Sequence, residues 1–500
     1  MMKHLLLTLI IISFSLGITN PAGAAEKETI HSEIIYNLLV DRFNNGDTLA
    51  GEQVNLDDPL AYHGGDLQGV TDKLGSLKDL GYTTIVLSPI MENAPGGYHG
   101  YWIEDFYKVD DQFGTMEDLK KLVKEAHERD IKVVMEFVTN YVSVTHPMTE
   151  DSSKSDWLKE NNNVQSYQWL DQAVVLDQSN PEVQKFLMDA ADYWIEEANI
   201  DGYKFHAADY TNESFLKELT AHINEQNPNF YMLGDILSGE EYTGDIKENT
   251  QIDMVENHPL YQPITETFAS AGEPVSNLYD AWVASGKSED LTYLDNKYTE
   301  RFTQKLLKNA RNPLTTWKLA LTYLYTAPGT PMIYQGSEIP MGGGAFPDSQ
   351  EMVQFNSGDE DLSEFINRVS ALRSQFPPLQ KGDYELLGSS GAMSLMKRSY
   401  EGKTVYIAIN NDTESQAISI DGIDSSMQLK GLLGDNLVRE NEKGEFKIGL
   451  ARETAEVYIE QNDTGLNWTF IGTVIGIFLL FVLGVILLSR KQKKREEAEA

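Results

Sequence analysis

Cysteine is absent from the 500 residues, so the chain can build neither a disulfide nor a thiolate metal site. Basic residues are scarce: 40 Lys and Arg stand against 77 Asp and Glu, a formal charge of −37. Phosphate binding needs clustered Lys and Arg, and this balance excludes nucleic acid as a partner. The acidity reads instead as a soluble, self-repelling surface. No internal repeat is visible, and the long apolar runs are confined to the two ends.

Those ends set the expected topology. Residues 1–25 begin with Lys3, run apolar from Leu5 to Ile18 and finish on Ala22-Gly23-Ala24-Ala25. A basic start, a short apolar core and small residues make a secretory signal, with cleavage expected near Ala24 or Ala25. Trp468 to Ser489 is long and apolar enough to cross a bilayer. Arg490-Lys491-Gln492-Lys493-Lys494-Arg495 follows at once, and positive residues stay cytoplasmic. The expectation is a single-pass cell-membrane protein, with residues 26–465 outside and the tail 490–500 inside. The alternative for 468–489 is a buried core helix.

Between the ends, strand and helix patterns alternate. Ile34–Val40, Thr84–Pro89, Ile131–Phe137, 200–206, 230–236, 251–255 and Met332–Tyr334 read as strands. Helix-period runs fall at 74–80, 119–129, 183–199, 213–226 and 314–325. This alternation argues for a parallel α/β arrangement over 30–378. Residues 141–180 are polar and break the rhythm, so they read as an insertion. Short alternating segments over 379–461 read as a small antiparallel β domain, joined by a polar linker to the apolar end. Three Asn-x-Ser/Thr sequons, at Asn411, Asn462 and Asn467, are weak signals, since chance matches are common.

Asp201-Gly202-Tyr203-Lys204-Phe205-His206-Ala207-Ala208-Asp209-Tyr210 reads as a short buried strand ending in polar groups. In a β/α barrel, reacting groups sit at the C-terminal ends of strands, so Lys204, His206 and Asp209 would face one pocket. Tyr98-His99-Gly100-Tyr101-Trp102, with the aromatics that follow, offers ring faces and polar tips suited to sugars. The same cluster also suits a plain hydrophobic loop closing the barrel top.

Asn45-Gly46-Asp47, Tyr98-His99-Gly100-Tyr101-Trp102, Phe113-Gly114-Thr115 and Gly329-Thr330-Pro331-Met332-Ile333-Tyr334-Gln335-Gly336-Ser337-Glu338 occur in order and spacing. With these motifs the chain resembles the α-amylase family of glycoside hydrolases (family 13) over roughly 30–460. The resemblance implies a (β/α)8 TIM barrel, an inserted domain after the third strand and a C-terminal antiparallel β domain. It implies α-1,4-glucans (starch, maltodextrins, maltooligosaccharides) as substrates. By resemblance, His99, Tyr101, Trp102, Lys204 and Lys297 fall on substrate-binding positions. It also implies structural Ca²⁺: Asn140 and Asp177, with a carbonyl near Tyr210, match one site, and Asn45, Asp47, Gly64 and Asp66 a second. Hard oxygens suit that ion, although ordinary Asx turns would use the same residues.

The catalytic motifs depart from the family pattern. The nucleophile position holds His206 and the arginine position Lys204. The acid position holds Asp235, one methylene shorter than Glu. Asn-His-Asp reads Asn296-Lys297-Tyr298, and Asp-x-x-x-Asn-His reads Glu136-x-x-x-Asn140-Tyr141. Family chemistry needs two carboxylates about 5 Å apart across the glycosidic bond. Loss of hydrolysis is one reading of these changes. Rewired chemistry is another. Tyr298 would be the nucleophile, with Glu300 or Asp209 as its base and Asp235, Glu240 or Glu241 as acid. Alternatively His206 would activate water. A metal bound by His206 and Asp235 is a third. The sequence thus points to a cell-surface amylase-like protein whose hydrolysis is weak, rewired or absent. The runner-up is a scaffold with an unknown protein partner, similar to the amylase-like heavy-chain subunits of certain amino-acid transporters.

Overall fold

The computed structural model describes residues 29–46, 54–159, 171–238, 246–463, 465 and 468–499. The expected signal segment, Asp47, Glu240, Glu241 and the sequon at Asn467 lie outside the described residues.

Eight parallel strands form the centre: β1 (Ile35–Leu38), β2 (Thr84–Leu87), β3 (Lys132–Val138), β4 (Gly202–His206), β5 (Tyr231–Gly234), β6 (Met254–Val255), β7 (Leu291–Thr292) and β8 (Thr330–Tyr334). They pair in the order β6-β5-β4-β3-β2-β1-β8-β7. A parallel bridge between Glu256 and Leu291 joins the two ends, so the sheet closes into the expected barrel. Ile35, Val86, Val134, Leu233, Met254, Leu291 and Met332 form one apolar cluster drawn from seven strands. Such a filled interior is what makes a barrel a packed core rather than a pore.

Helices α1 (Leu67–Asp79), α2 (Met116–His127), α3 (Pro181–Ala198), α4 (Glu213–Gln226), α5 (His258–Ala269), α6 (Pro313–Thr326) and α7 (Glu360–Gln375) flank the strands. Their starts follow the sequence: Asp66 caps α1, Thr115 and Asp118 form a capping box on α2, and Asn180 with Pro181 opens α3. The strand read at 251–255 shrinks to two residues, and β7 has no counterpart in the sequence reading. The aromatic stretch is partly a strand: 103–109 pairs antiparallel with 91–93, leaving 98–102 as the loop above the barrel.

The insertion after β3 carries a three-stranded antiparallel sheet of 141–143, 173–176 and 158–159. Strands from Asp383 to Asn462 form the C-terminal domain: a six-stranded antiparallel sheet and a two-stranded pair. Asn411 is fully buried where this domain meets the barrel. Its Nδ2 donates to the carbonyls of Thr267, Ser270 and Glu273, and its Oδ1 accepts from Arg311. The sequon at Asn411 is therefore structural in the folded chain. The last helix, α8 (Trp468–Glu499), contains an apolar span, Gly472–Lys491, of mean hydropathy 2.7 and unburied by the rest of the chain. Its length and composition suffice to cross a membrane.

Candidate active site

Strand periodicity places the central groups. Successive side chains on a strand point to opposite faces. On β4, Tyr203 turns outward and donates to the Ala191 carbonyl of α3, while Lys204 and His206 share the other face. On β3, Glu136 is the register partner of Lys204. Ala207 then adopts a left-handed conformation (φ 49°), which bends the chain as β4 ends. Its N–H donates to Asp235 Oδ1, and the Ala208 N–H donates to the Asp235 carbonyl at 3.0 Å.

His206 is fully buried, and its Nδ1 lies 3.0 Å from Glu136 Oε1 and 3.1 Å from Asp235 Oδ2. Lys297 Nζ donates to both Glu136 oxygens at 2.8 and 2.6 Å. Lys204 Nζ sits 2.7 Å from Glu256 Oε1 and 3.8 Å from Asp235 Oδ2. With His206 protonated, three cations balance three carboxylates in a region without water exposure. Buried charges are tolerated only when paired in this way.

The proton affinities agree with the pairing. Burial lowers the His206 affinity, but Asp235 and Glu136 outweigh it and raise the imidazole above its ordinary value. Burial opposes ionisation of Glu136, yet Lys297 and His206 bring it down to about 2. Asp235 is likewise held well below the usual carboxylate range: burial opposes this, and His206 and Lys204 overcome it. Burial works against the Lys204 charge, but Glu256 and Asp235 raise its affinity. His99 falls to about 3 through burial and the nearby Lys297, so it is neutral.

Aromatic rings close the cluster. Tyr101 stacks on His206 with centroids 4.2 Å apart and on His99 at 5.2 Å. The Tyr101 hydroxyl donates to Glu136 Oε1 at 2.7 Å and lies 3.0 Å from the Tyr298 hydroxyl. The Tyr298 hydroxyl is 3.5 Å from His206 Nδ1. Ser349 and Gln350 both donate to the Lys297 carbonyl, and Gln350 accepts from Tyr98, so the loop after β8 holds Lys297 in place.

His206, Asp235, Tyr298, Lys204, Lys297, His99 and Tyr101 therefore converge, as expected. Tyr101, His99 and Lys297 are buried, and the Tyr101 ring is occupied by imidazoles. Trp102 and Tyr298 are the members left partly exposed. The Tyr298 phenol is a poor nucleophile: burial, then Tyr101 and Asp235, push its ionisation far up. Its suggested bases are engaged elsewhere. Asp209 accepts from Leu237 and Ser238, and Glu300 pairs with Lys308. An ionised Asp235 lacks the proton a general acid must supply. Sequence reasoning noted Glu136 as a changed motif position but gave it no role, and it missed Glu256, although both fall at the C-terminal ends of strands.

Ligand atoms of Glu136, His206 and Asp235 lie within 4.8 Å of one another, a spacing a divalent ion would need. The surrounding charges disfavour one: a dication beside Lys204, Lys297 and a neutral imidazole would leave a buried positive excess. At the first expected calcium site, Asn140 Oδ1 accepts from Gln178 Nε2 at 3.1 Å. Asp177 pairs with Lys159 at 2.6 Å and caps Ser179. Asn140 Oδ1 and Asp177 Oδ1 are thus both taken up by protein donors, and in this arrangement the two residues do not fit the ion. At the second, the Asn45 side chain lies against Gly64, and Asp66 accepts from the Gly46 and Gly69 N–H groups.

Comparison with known proteins accords with this architecture. The α-amylase catalytic-domain family matches residues 37–178 and 153–373, and the α-amylase C-terminal-domain family matches 382–458. An α-amylase of Anoxybacillus superposes with a TM-score of 0.83 at 40% identity, covering 88% of this chain and 100% of that one. The α-amylase of Geobacillus thermoleovorans, solved with acarbose, gives 0.81 at 40% identity, covering 87% and 100%. A β/α-amylase of Paenibacillus polymyxa is 28% identical over 85% of this chain, which spans only 37% of that longer relative. The chain belongs to the α-amylase family of glycoside hydrolases, family 13.

Proposed function

We propose that this chain engages α-glucans at a cell surface and hydrolyses them poorly or not at all. One observation carries the reading: an imidazole is clamped between Glu136 and Asp235, where the motif resemblance would put a family member's attacking carboxylate. The transition state of glycoside cleavage is oxocarbenium-like and positive. A net-neutral cluster of three cations and three anions gives it no excess negative charge. Each lost charge-stabilising contact costs roughly 10²–10³ in rate. The partial exposure of Trp102 and Tyr298 and the family's substrate class support the glucan assignment. The apolar span Gly472–Lys491 and the cations after it support a membrane anchor with the barrel outside. Any calcium the chain holds is assigned to the loops of Asn45, Gly64 and Asp66, whose oxygens suit it.

The test uses the full chain in detergent, with reducing-sugar release from soluble starch and calorimetric titration of maltoheptaose. Binding is expected, with turnover roughly 10⁴-fold or more below that of a working amylase. Ordinary amylase turnover would overturn the inactive centre, and no heat with any maltooligosaccharide would overturn the ligand. The internal use of the Tyr101 ring favours a second reading, a scaffold for a membrane partner. Stoichiometric recovery of such a partner after cross-linking, without glucan binding, would select it.

A further inference from the structure

We infer that Gln178 takes the place of a calcium ion at the junction of barrel and insertion, so that this junction holds together without metal. Gln178 follows the insertion strand 173–176 and is buried. Its Nε2 donates to the Thr139 carbonyl at 2.7 Å and to Asn140 Oδ1 at 3.1 Å. Both hydrogens of the amide are thereby used. Its Oε1 accepts from the Asn212 N–H at 2.6 Å, at the N-cap of α4. Its own carbonyl accepts from the Gln184 side chain of α3 at 2.9 Å. The side chain thus ties the insertion to the end of β3 and to the N-cap of α4, and the residue's own carbonyl adds a tie to α3.

The oxygens facing Gln178 Nε2 are the kind a hard cation would gather. A neutral N–H₂ group fills that role here, bridging two acceptors by donation. The tie continues to the site: Asn140 Nδ2 donates to the His206 and Ala207 carbonyls at 3.1 and 3.0 Å. Gln178 therefore orients Asn140, and Asn140 holds the bend that follows His206. Asp177, beside it, is engaged through Oδ1 by Lys159 and Ser179. Gln178 is in this sense a positioning residue.

The substitution Gln178→Glu separates this inference from a merely structural contact. It keeps the oxygen that accepts from Asn212 and replaces the donating nitrogen by an oxygen facing two others. In EGTA the variant is expected to melt roughly 2–4 °C below the natural chain, and added Ca²⁺ is expected to restore it. The natural chain's melting point at this junction is expected to ignore the ion. Calcium bound at the Asn45–Asp66 loops would give a rise that survives Asn140→Ala. The inference is overturned by a calcium-dependent rise in the natural chain that Asn140→Ala abolishes. It is equally overturned if Gln178→Glu melts like the natural chain in EGTA. Should Asn140→Ala fail to fold, the glutamate variant alone decides.

Discussion

His206 is the residue on which the charge balance of the cluster turns. Writing His206→Asp puts a third carboxylate beside Glu136 and Asp235 and removes the cation between them. The expected result is a loss of roughly 3–5 kcal/mol in urea unfolding at pH 7, with no release of reducing sugar. The natural cluster has a definite pH signature. His206 is raised above 6.5, so its stabilisation is full below 6.5 and is lost as pH rises through the elevated value. Glu136 is depressed to about 2, so its share is present above 4.5 and is lost as pH falls through about 2. Glu338 acts separately. It is buried, Oε1 accepts from Tyr36 at 2.9 Å, and burial pushes its carboxyl up to about 7. Its raised affinity favours the folded state below 4.5, and that advantage fades as pH rises through about 7. Glu338→Gln is expected to remove a pH-dependent loss on the order of 3 kcal/mol, read from unfolding midpoints between pH 4.5 and 8. Much of the site is legible at this scale. Lys204 and His206 share a face because alternate strand residues do. Glu256 is not, because its strand is two residues long and no periodicity marks it.

At the scale of elements, the barrel's helices declare themselves through caps and apolar spacing, and its long strands through unbroken apolar runs. β7 escapes such reading and β6 is read too long, because both are held by parallel register with neighbours, not by their own pattern. The C-terminal domain is legible as antiparallel, though its strands are more numerous than alternation alone suggests. Its attachment is invisible in the sequence. Asn411 looks like a glycosylation sequon, yet its amide reaches three carbonyls on the α5 side and accepts from Arg311. Asn411→Ala strands those acceptors in a buried junction. It should cost roughly 2–4 kcal/mol, measured by urea unfolding, and should hasten proteolysis between the two domains.

At the scale of the whole molecule, a charge of −37 and one apolar helix pull in different directions. The acidic body favours water, and Gly472–Lys491 favours lipid. Removing residues 468–500 is expected to move the chain from the membrane pellet to the soluble fraction with its unfolding midpoint unchanged. An unchanged pellet fraction would remove the anchor from the picture.

A membrane position for α8 would have a geometric consequence. The last strand of the C-terminal domain ends at Asn462 and α8 begins at Trp468, which leaves five residues between them. Fully extended, five residues reach about 18 Å. With α8 in a bilayer, the body rides within that distance of the lipid and wanders in two dimensions rather than three. It then meets membrane-resident neighbours far more often than a free protein would, and only those soluble glucans that diffuse to the surface.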